Sequence, residues 1–126
     1  MWLVDAGLTL RGRAQEADTA KFDDAQLVVV NGLDYDHWAE KAVDNLDSEP
    51  AVVDGGKVVG LEEGDNPHIW YGPDYVRQIS TAVTSELKEL APDAAAYFDE
   101  QQTAWQTSMK PYDDVITRIT AVAADK

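Results

Sequence analysis

Residues 27–54 read LVVVNGLDYDHWAEKAVDNLDSEPAVVD, and this stretch decides the fold. Its first four residues form a continuous apolar run rich in β-branched side chains, which is typical of a strand buried on both faces in a parallel sheet. Asp34 is suited to cap a helix whose apolar positions recur at helical spacing as far as about Asp47. Residues 50–54 predict a second strand. The order strand, helix, strand indicates a βαβ-like unit.

Beyond the second strand, the pattern changes to a turn, a loop and a helix. Residues 55–59, GGKVV, are interpreted as a turn that leads into a brief extended segment. Residues 61–72, LEEGDNPHIWYG, contain turn formers and a proline without a sustained period, so they predict a structured loop. A helix is predicted from Pro73, because proline suits the first helical position and Asp74 lies at the positive end of the helix dipole.

The C-terminal part of the chain predicts one long helix after a break at residues 91–92. Large side chains recur along it every seven residues, so a narrow seam needs a partner surface, and Pro111 should kink the helix. The fold class that follows is α/β: a small, mostly parallel sheet flanked by helices, ending in a long C-terminal helix. We treat residues 1–126 as a single partial domain, with an α/β segment at 1–91 and the long helix at 92–126. The seam comprises Phe98, Trp105, Tyr112 and Ile119, interleaved with Gln102, Met109 and Ile116.

Length and composition limit the possible partners. The chain has 126 residues, the size of one domain, and 24 acidic against 10 basic residues give a formal charge of -14. This charge disfavours binding to nucleic acid and to anionic membranes. No apolar run reaches membrane-spanning length, and the first 13 residues, MWLVDAGLTLRGR, lack the features of a secretory signal. Residues 1–24 are interpreted as a short strand followed by a helix.

Metal or acid-base chemistry based on imidazole is confined to two histidines, His37 and His68. His68 follows a stiff Pro67 step in the loop before the predicted helix, with aromatic neighbours, and it is the candidate metal ligand. The alternative for His68 is a loop histidine that hydrogen-bonds the backbone and packs on Trp70. His37 lies in the first turn of a predicted helix and is interpreted as an exposed helix residue. The chain has no cysteine and no recognisable nucleophile or phosphate-binding motif, so we do not expect an enzyme.

Three segments carry a family likeness. They are residues 24–38, DAQLVVVNGLDYDHW, residues 66–73, NPHIWYGP, and residues 87–98, LKELAPDAAAYF. In order and spacing they resemble the cluster A-I (zinc or manganese) solute-binding proteins of metal ABC transporters. The resemblance implies that the histidine of the NPH motif, His68, is a metal ligand. It also implies an extracytoplasmic location, an ABC permease as partner, and a long helix that joins two lobes.

The chain departs from the family pattern at the other metal ligands. The family's first histidine would fall near Leu10, where the sequence LTLRGRAQEA has none, and the second-lobe ligands would follow the C-terminal helix. Of four expected ligands only His68 can be carried over, so Zn²⁺ or Mn²⁺ should bind weakly or not at all. We therefore expect an incomplete metal-binding component of an importer. The alternative is a metal-independent interaction fragment that self-associates through residues 92–126.

Overall fold

The structure, a computed structural model that describes residues 21–124, contains a parallel two-stranded sheet. Strand β1 (Leu27–Val30) and strand β2 (Ala51–Asp54) pair in register, with the first and last residues of each strand opposite one another. Helix α1 (His37–Asp44) connects them. The predicted βαβ-like unit is confirmed.

The main core lies between β1 and α1. Val28 and Val30 are buried there with Ala39 of α1 and with Phe22, whose ring meets that of Trp38 edge-on at 6.1 Å. Alternate residues of a strand point to opposite faces, so this packing covers one face of β1. The prediction that β1 is buried on both faces is therefore only half correct, because Val29 on the other face is 46% exposed.

The start of α1 differs from the prediction. The helix begins at His37 and not after Asp34, which has a left-handed backbone with φ of 60°. The residue before the helix is Asp36, and its carboxylate accepts hydrogen bonds from the end of β1 rather than from the helix. The first turn of the predicted helix is thus replaced by a tight loop at residues 31–36.

Gly55 and Gly56 begin a short helix and do not form the predicted turn into an extended segment. Helix α2 (Gly55–Val58) starts where the Asp54 side chain accepts the backbone N–H of Lys57 at 3.1 Å, which is a helix cap. Both glycines are buried. A β-carbon on Gly56 would lie 2.7 Å from Cγ of Leu33, so the close packing of α2 against the preceding loop explains the absence of a side chain.

The C-terminal half is helical. After a 3-10 turn (Ile69–Tyr71), helix α3 (Pro73–Leu90) begins and ends as predicted, and a 3-10 turn (Pro92–Ala94) leads into α4 (Ala95–Ser108) and α5 (Lys110–Ala124). The long C-terminal helix is confirmed, with an interruption at Met109, two residues before the proline that was predicted to kink it.

Helix α3 supports the C-terminal helices through polar contacts. Lys88 reaches Asp99 at 2.7 Å, and Gln102 donates to Thr81 at 2.9 Å. Arg77 of α3 forms an ion pair with Asp113 of α5, and this contact raises the pKa of the guanidinium. The predicted seam is covered best near α3 and opens toward the end of α5.

Two further predictions concern the limits of the chain. Within the described residues, no helix is both long and apolar enough to cross a membrane. The strand and helix predicted at residues 1–24 lie almost entirely outside the described part of the chain. Of these 24 residues the structure describes 21–24, and residues 21–23 are helical.

Candidate metal centre

The loop after β1 is organised by one carboxylate. Asp36 accepts the backbone N–H of Asn31 at 2.6 Å and that of Gly32 at 2.9 Å. Gly32 has φ of 75°, and the next two residues also have positive φ, so the chain turns sharply at the carboxyl end of the strand. Asp36 therefore holds this turn in place.

The loop that contains Asn66-Pro67-His68 (the NPH loop) is attached to the carboxyl end of β1. The side-chain amide of Asn31 donates to the carbonyl oxygen of Pro67 at 3.0 Å, across 36 residues of sequence. The backbone carbonyl of Asn31 in turn accepts the N–H of Gly56 at 2.9 Å. Asn31 thus joins the ends of both strands to the loop that carries the candidate ligand. In open α/β sheets, ligands bind at the carboxyl ends of the strands.

His68 is exposed to solvent at this edge. Its ring centroid lies 5.1 Å from that of Trp70, 6.3 Å from that of Tyr35 and 6.4 Å from that of Tyr71, which is stacked at 20°. Ile69, the next residue, is 2% exposed and fixes the loop to the fold. The imidazole is therefore flanked by aromatic side chains and still remains exposed to solvent.

The polar contact of the His68 ring is with Asn66. Nδ1 lies 2.6 Å from the Asn66 side-chain oxygen, which also accepts the backbone N–H of His68 at 3.1 Å. The alternative of a backbone-bonded, Trp-packed loop histidine is thus partly realised, because the ring lies beside Trp70. Its nitrogen, however, bonds a side chain and not the backbone.

His37 is held in a different way. As predicted, it is a largely exposed residue in the first turn of α1, and its Nδ1 lies 3.4 Å from a carboxylate oxygen of Glu40 and 3.6 Å from one of Asp34. Within the described residues, the structure does not bring His37 and His68 into contact with each other.

The carboxylates at the strand ends are engaged elsewhere. Asp36 binds two backbone amides, and Asp54 caps α2 while its second oxygen lies 3.0 Å from the ammonium of Lys57. The hydrogen bond and charge of Asp54 raise the pKa of Lys57. In their present positions, neither aspartate is free to complete a metal site.

The candidate ligand His68 does not belong to a cluster of metal-binding side chains in the described residues. Residues 21–124 contain no group of three or more His, Asp or Glu side chains that could hold a metal ion. Zn²⁺ normally requires four ligands, so the described residues do not form a complete zinc site. The sequence pattern located His68, but it missed Asn31, Asn66 and Asp36, whose only signals were the Asn-Gly and Asn-Pro steps and a helix-cap residue type.

Comparisons with known proteins identify the fold and its relatives. The family model described as zinc-uptake complex component A, periplasmic, matches residues 13–126. The manganese-binding lipoprotein MntA of Halalkalibacterium halodurans is 27% identical over 105 residues, which cover 79% of this chain and 35% of that protein. The structure of a Cd-bound periplasmic metal binding protein from Candidatus Liberibacter asiaticus matches with a TM-score of 0.67 and 20% identity, covering 85% of this chain and 44% of that chain.

The family model over residues 13–126, together with the shared fold, places the chain in the class of solute-binding proteins. More narrowly, the chain belongs to the zinc-uptake complex component A (ZnuA) family. This membership agrees with the predicted resemblance to cluster A-I proteins. The chain spans 35% of the length of the curated relative and 44% of the matched structure.

Proposed function

We propose that the chain takes part in the capture of a divalent transition metal, zinc or manganese, for delivery to an ABC permease. One observation carries this proposal: an exposed imidazole, His68, stands on a loop that Asn31 attaches to the carboxyl end of β1. The family and the names of its relatives support metal as the cargo. The role is that of a binding component, without covalent chemistry, working outside the cytoplasm.

The proposed site is a half-site. His68 would give one nitrogen to the ion, and the remaining ligands would be water or donors outside the described residues. Binding by residues 21–124 alone is then weak. We also propose that residues 1–91 act as a lobe segment and residues 92–126 as the helix that leads away from it.

Calorimetric titration with Zn²⁺ tests the proposal. Replacing His68 with alanine removes the one imidazole at the strand ends, so we expect the affinity to fall by about tenfold or more, equivalent to about 1.4 kcal/mol. The matched control is His37→Ala, which removes the other imidazole and should leave the affinity unchanged. Superimposable isotherms for the parent and His68→Ala would remove His68 from the site.

A second candidate function is self-association. The exposed apolar side chains on α5 include Val115 at 48%, Ile119 at 63% and Val122 at 66%, and their spacing places them on one face of the helix. Such a stripe suits pairing with the same stripe of a second copy. This role would require no metal.

Sedimentation velocity distinguishes this candidate. If α5 pairs, the weight-average sedimentation coefficient should rise with concentration by mass action and should not change when a chelator is added. Ile119→Lys should then shift the protein toward monomer, whereas Thr120→Lys, which introduces the same charge at the adjacent exposed position, should have little effect. A coefficient that stays constant at the monomer value over about a hundredfold range of concentration would exclude self-association.

A further inference from the structure

The side chain of Asn66 contacts His68 twice through a single oxygen. Its Oδ1 lies 3.1 Å from the backbone nitrogen of His68 and 2.6 Å from the ring nitrogen Nδ1. Pro67, between the two residues, has a fixed φ and lacks an N–H, so the carboxamide has no competing backbone donor at that position. The contact from a side-chain oxygen to the N–H two residues later is an Asx-turn.

This double contact determines where the ring proton lies. A backbone N–H can only donate, so the atom that faces it must be the carboxamide oxygen and not the NH₂ group. The same oxygen then faces Nδ1, and two acceptors cannot bond each other, so Nδ1 must carry hydrogen. A neutral imidazole has one N–H, and its other nitrogen, Nε2, therefore holds the free lone pair.

A second link fixes the position of Asn66 and His68 relative to the sheet. The carbonyl oxygen of Pro67 accepts the side-chain amide of Asn31 at 3.0 Å, and Ile69 is buried. The loop is thus held on both sides of His68, while Trp70 and Tyr71 limit rotation of the ring. The carboxamide of Asn66 consequently bonds an imidazole ring whose place in the loop is fixed by these other contacts.

We propose that Asn66 is a positioning residue that holds His68 in the Nδ1–H tautomer and so presents the Nε2 lone pair to the incoming cation. The tautomer assignment stands on the Asn66 geometry alone, and its use in cation capture rests on the proposed function. Neutral imidazole in the opposite tautomer would offer the cation an N–H instead of a lone pair. Hydrogen bonds of this kind orient metal-binding histidines and raise their basicity.

Long-range ¹H–¹⁵N correlation spectra of the imidazoles test the assignment without metal. In spectra recorded at about pH 8.5, the His68 ring should show a pyrrole-type Nδ1 and a pyridine-type Nε2. In Asn66→Ala we expect an averaged pattern from interconverting tautomers at His68, with His37 unchanged as the internal reference. Asn66→Asp keeps an acceptor oxygen at this place and should retain the parent pattern. An unchanged His68 pattern in Asn66→Ala would overturn the inference.

Zn²⁺ titration of the same samples tests the use of the tautomer. We expect Asn66→Ala to bind Zn²⁺ about tenfold more weakly than the parent, and Asn66→Asp to bind no more weakly than the parent. Equal affinities of Asn66→Ala and the parent, with His68 still the residue shifted by Zn²⁺, would refute the positioning role. If Zn²⁺ shifts neither imidazole in the parent, the proposed function fails, and the tautomer pattern still decides the assignment.

Discussion

Replacing Gly32 with alanine is expected to lower the free energy of unfolding by about 2–4 kcal/mol. Gly32 has φ of 75°, a left-handed conformation that costs an alanine about 1–2 kcal/mol. In addition, its new β-carbon would collide with the carboxylate of Asp54. That carboxylate caps α2 and pairs with Lys57, so moving it removes a further contribution to stability.

Gly60 provides a matched control for this substitution. Its φ is 73°, almost the same as that of Gly32, but a β-carbon there would have no atom within 4 Å. Gly60→Ala should therefore cost only the backbone contribution, about 1–2 kcal/mol. Urea denaturation of both variants measures the difference between their free energies of unfolding, provided that the dependence of the free energy on urea concentration is the same for both. Equal losses would mean that Gly32 is not in close contact with Asp54.

Asp36→Ala should destabilise the fold by a similar amount, about 2–4 kcal/mol. The substitution leaves the backbone N–H groups of Asn31 and Gly32 without their charged acceptor, and Gly32 is buried. Unsatisfied buried donors cost more than the net value of the hydrogen bonds they lose. We also expect the NPH loop to loosen, because Asn31 is the residue that holds Pro67.

The control for Asp36 is Asp34, two residues earlier in the same loop. The Asp34 side chain is 70% exposed and lies 3.6 Å from His37, so Asp34→Ala should change stability by less than about 0.5 kcal/mol. Thermal or urea unfolding of the two variants separates them. A larger loss in Asp34→Ala than in Asp36→Ala would restore Asp34 as the helix-capping residue.

The same pair of aspartates explains a limit of the sequence prediction. Asp34 and Asp36 are both favourable cap residues before an amphipathic run, and local pattern does not separate them. The choice depends on which carboxylate reaches the amides at the end of β1, and this depends on the left-handed backbone of the intervening loop, which the residue types alone do not reveal. By contrast, Pro73 and the break near residue 91 are local signals, and α3 begins and ends where they predict.

Gly55-Gly56 was misread for a related reason. Two adjacent glycines favour a turn. Here, however, glycine suits these positions because atoms of other residues approach the backbone too closely to leave room for a β-carbon. A β-carbon on Gly55 would lie 3.0 Å from Cδ1 of Ile69 and 3.1 Å from the carbonyl oxygen of Asn31. These neighbours come from distant parts of the sequence, so no local pattern reports them.

The candidate site was predicted in part. His68 was found from its motif, and the structure places it in an exposed loop at the carboxyl end of the sheet, while its role as a ligand stays a prediction. The contact of Asn31 with Pro67 spans 36 residues and had no local signal. The Asn66 contact is local and could have been anticipated from the Asn-Pro-His order, because asparagine commonly accepts the N–H two residues later.

Paramagnetic broadening by Mn²⁺ tests the central claim most directly, because it reports which imidazole lies beside the bound ion. In a ¹H–¹⁵N spectrum of the full chain, substoichiometric Mn²⁺ should broaden the ring signals of His68 first and leave those of His37 sharp, and excess Zn²⁺ should restore them by competition. Equal broadening of both rings, or selective broadening of His37, would contradict the assignment of His68 as the metal-binding residue.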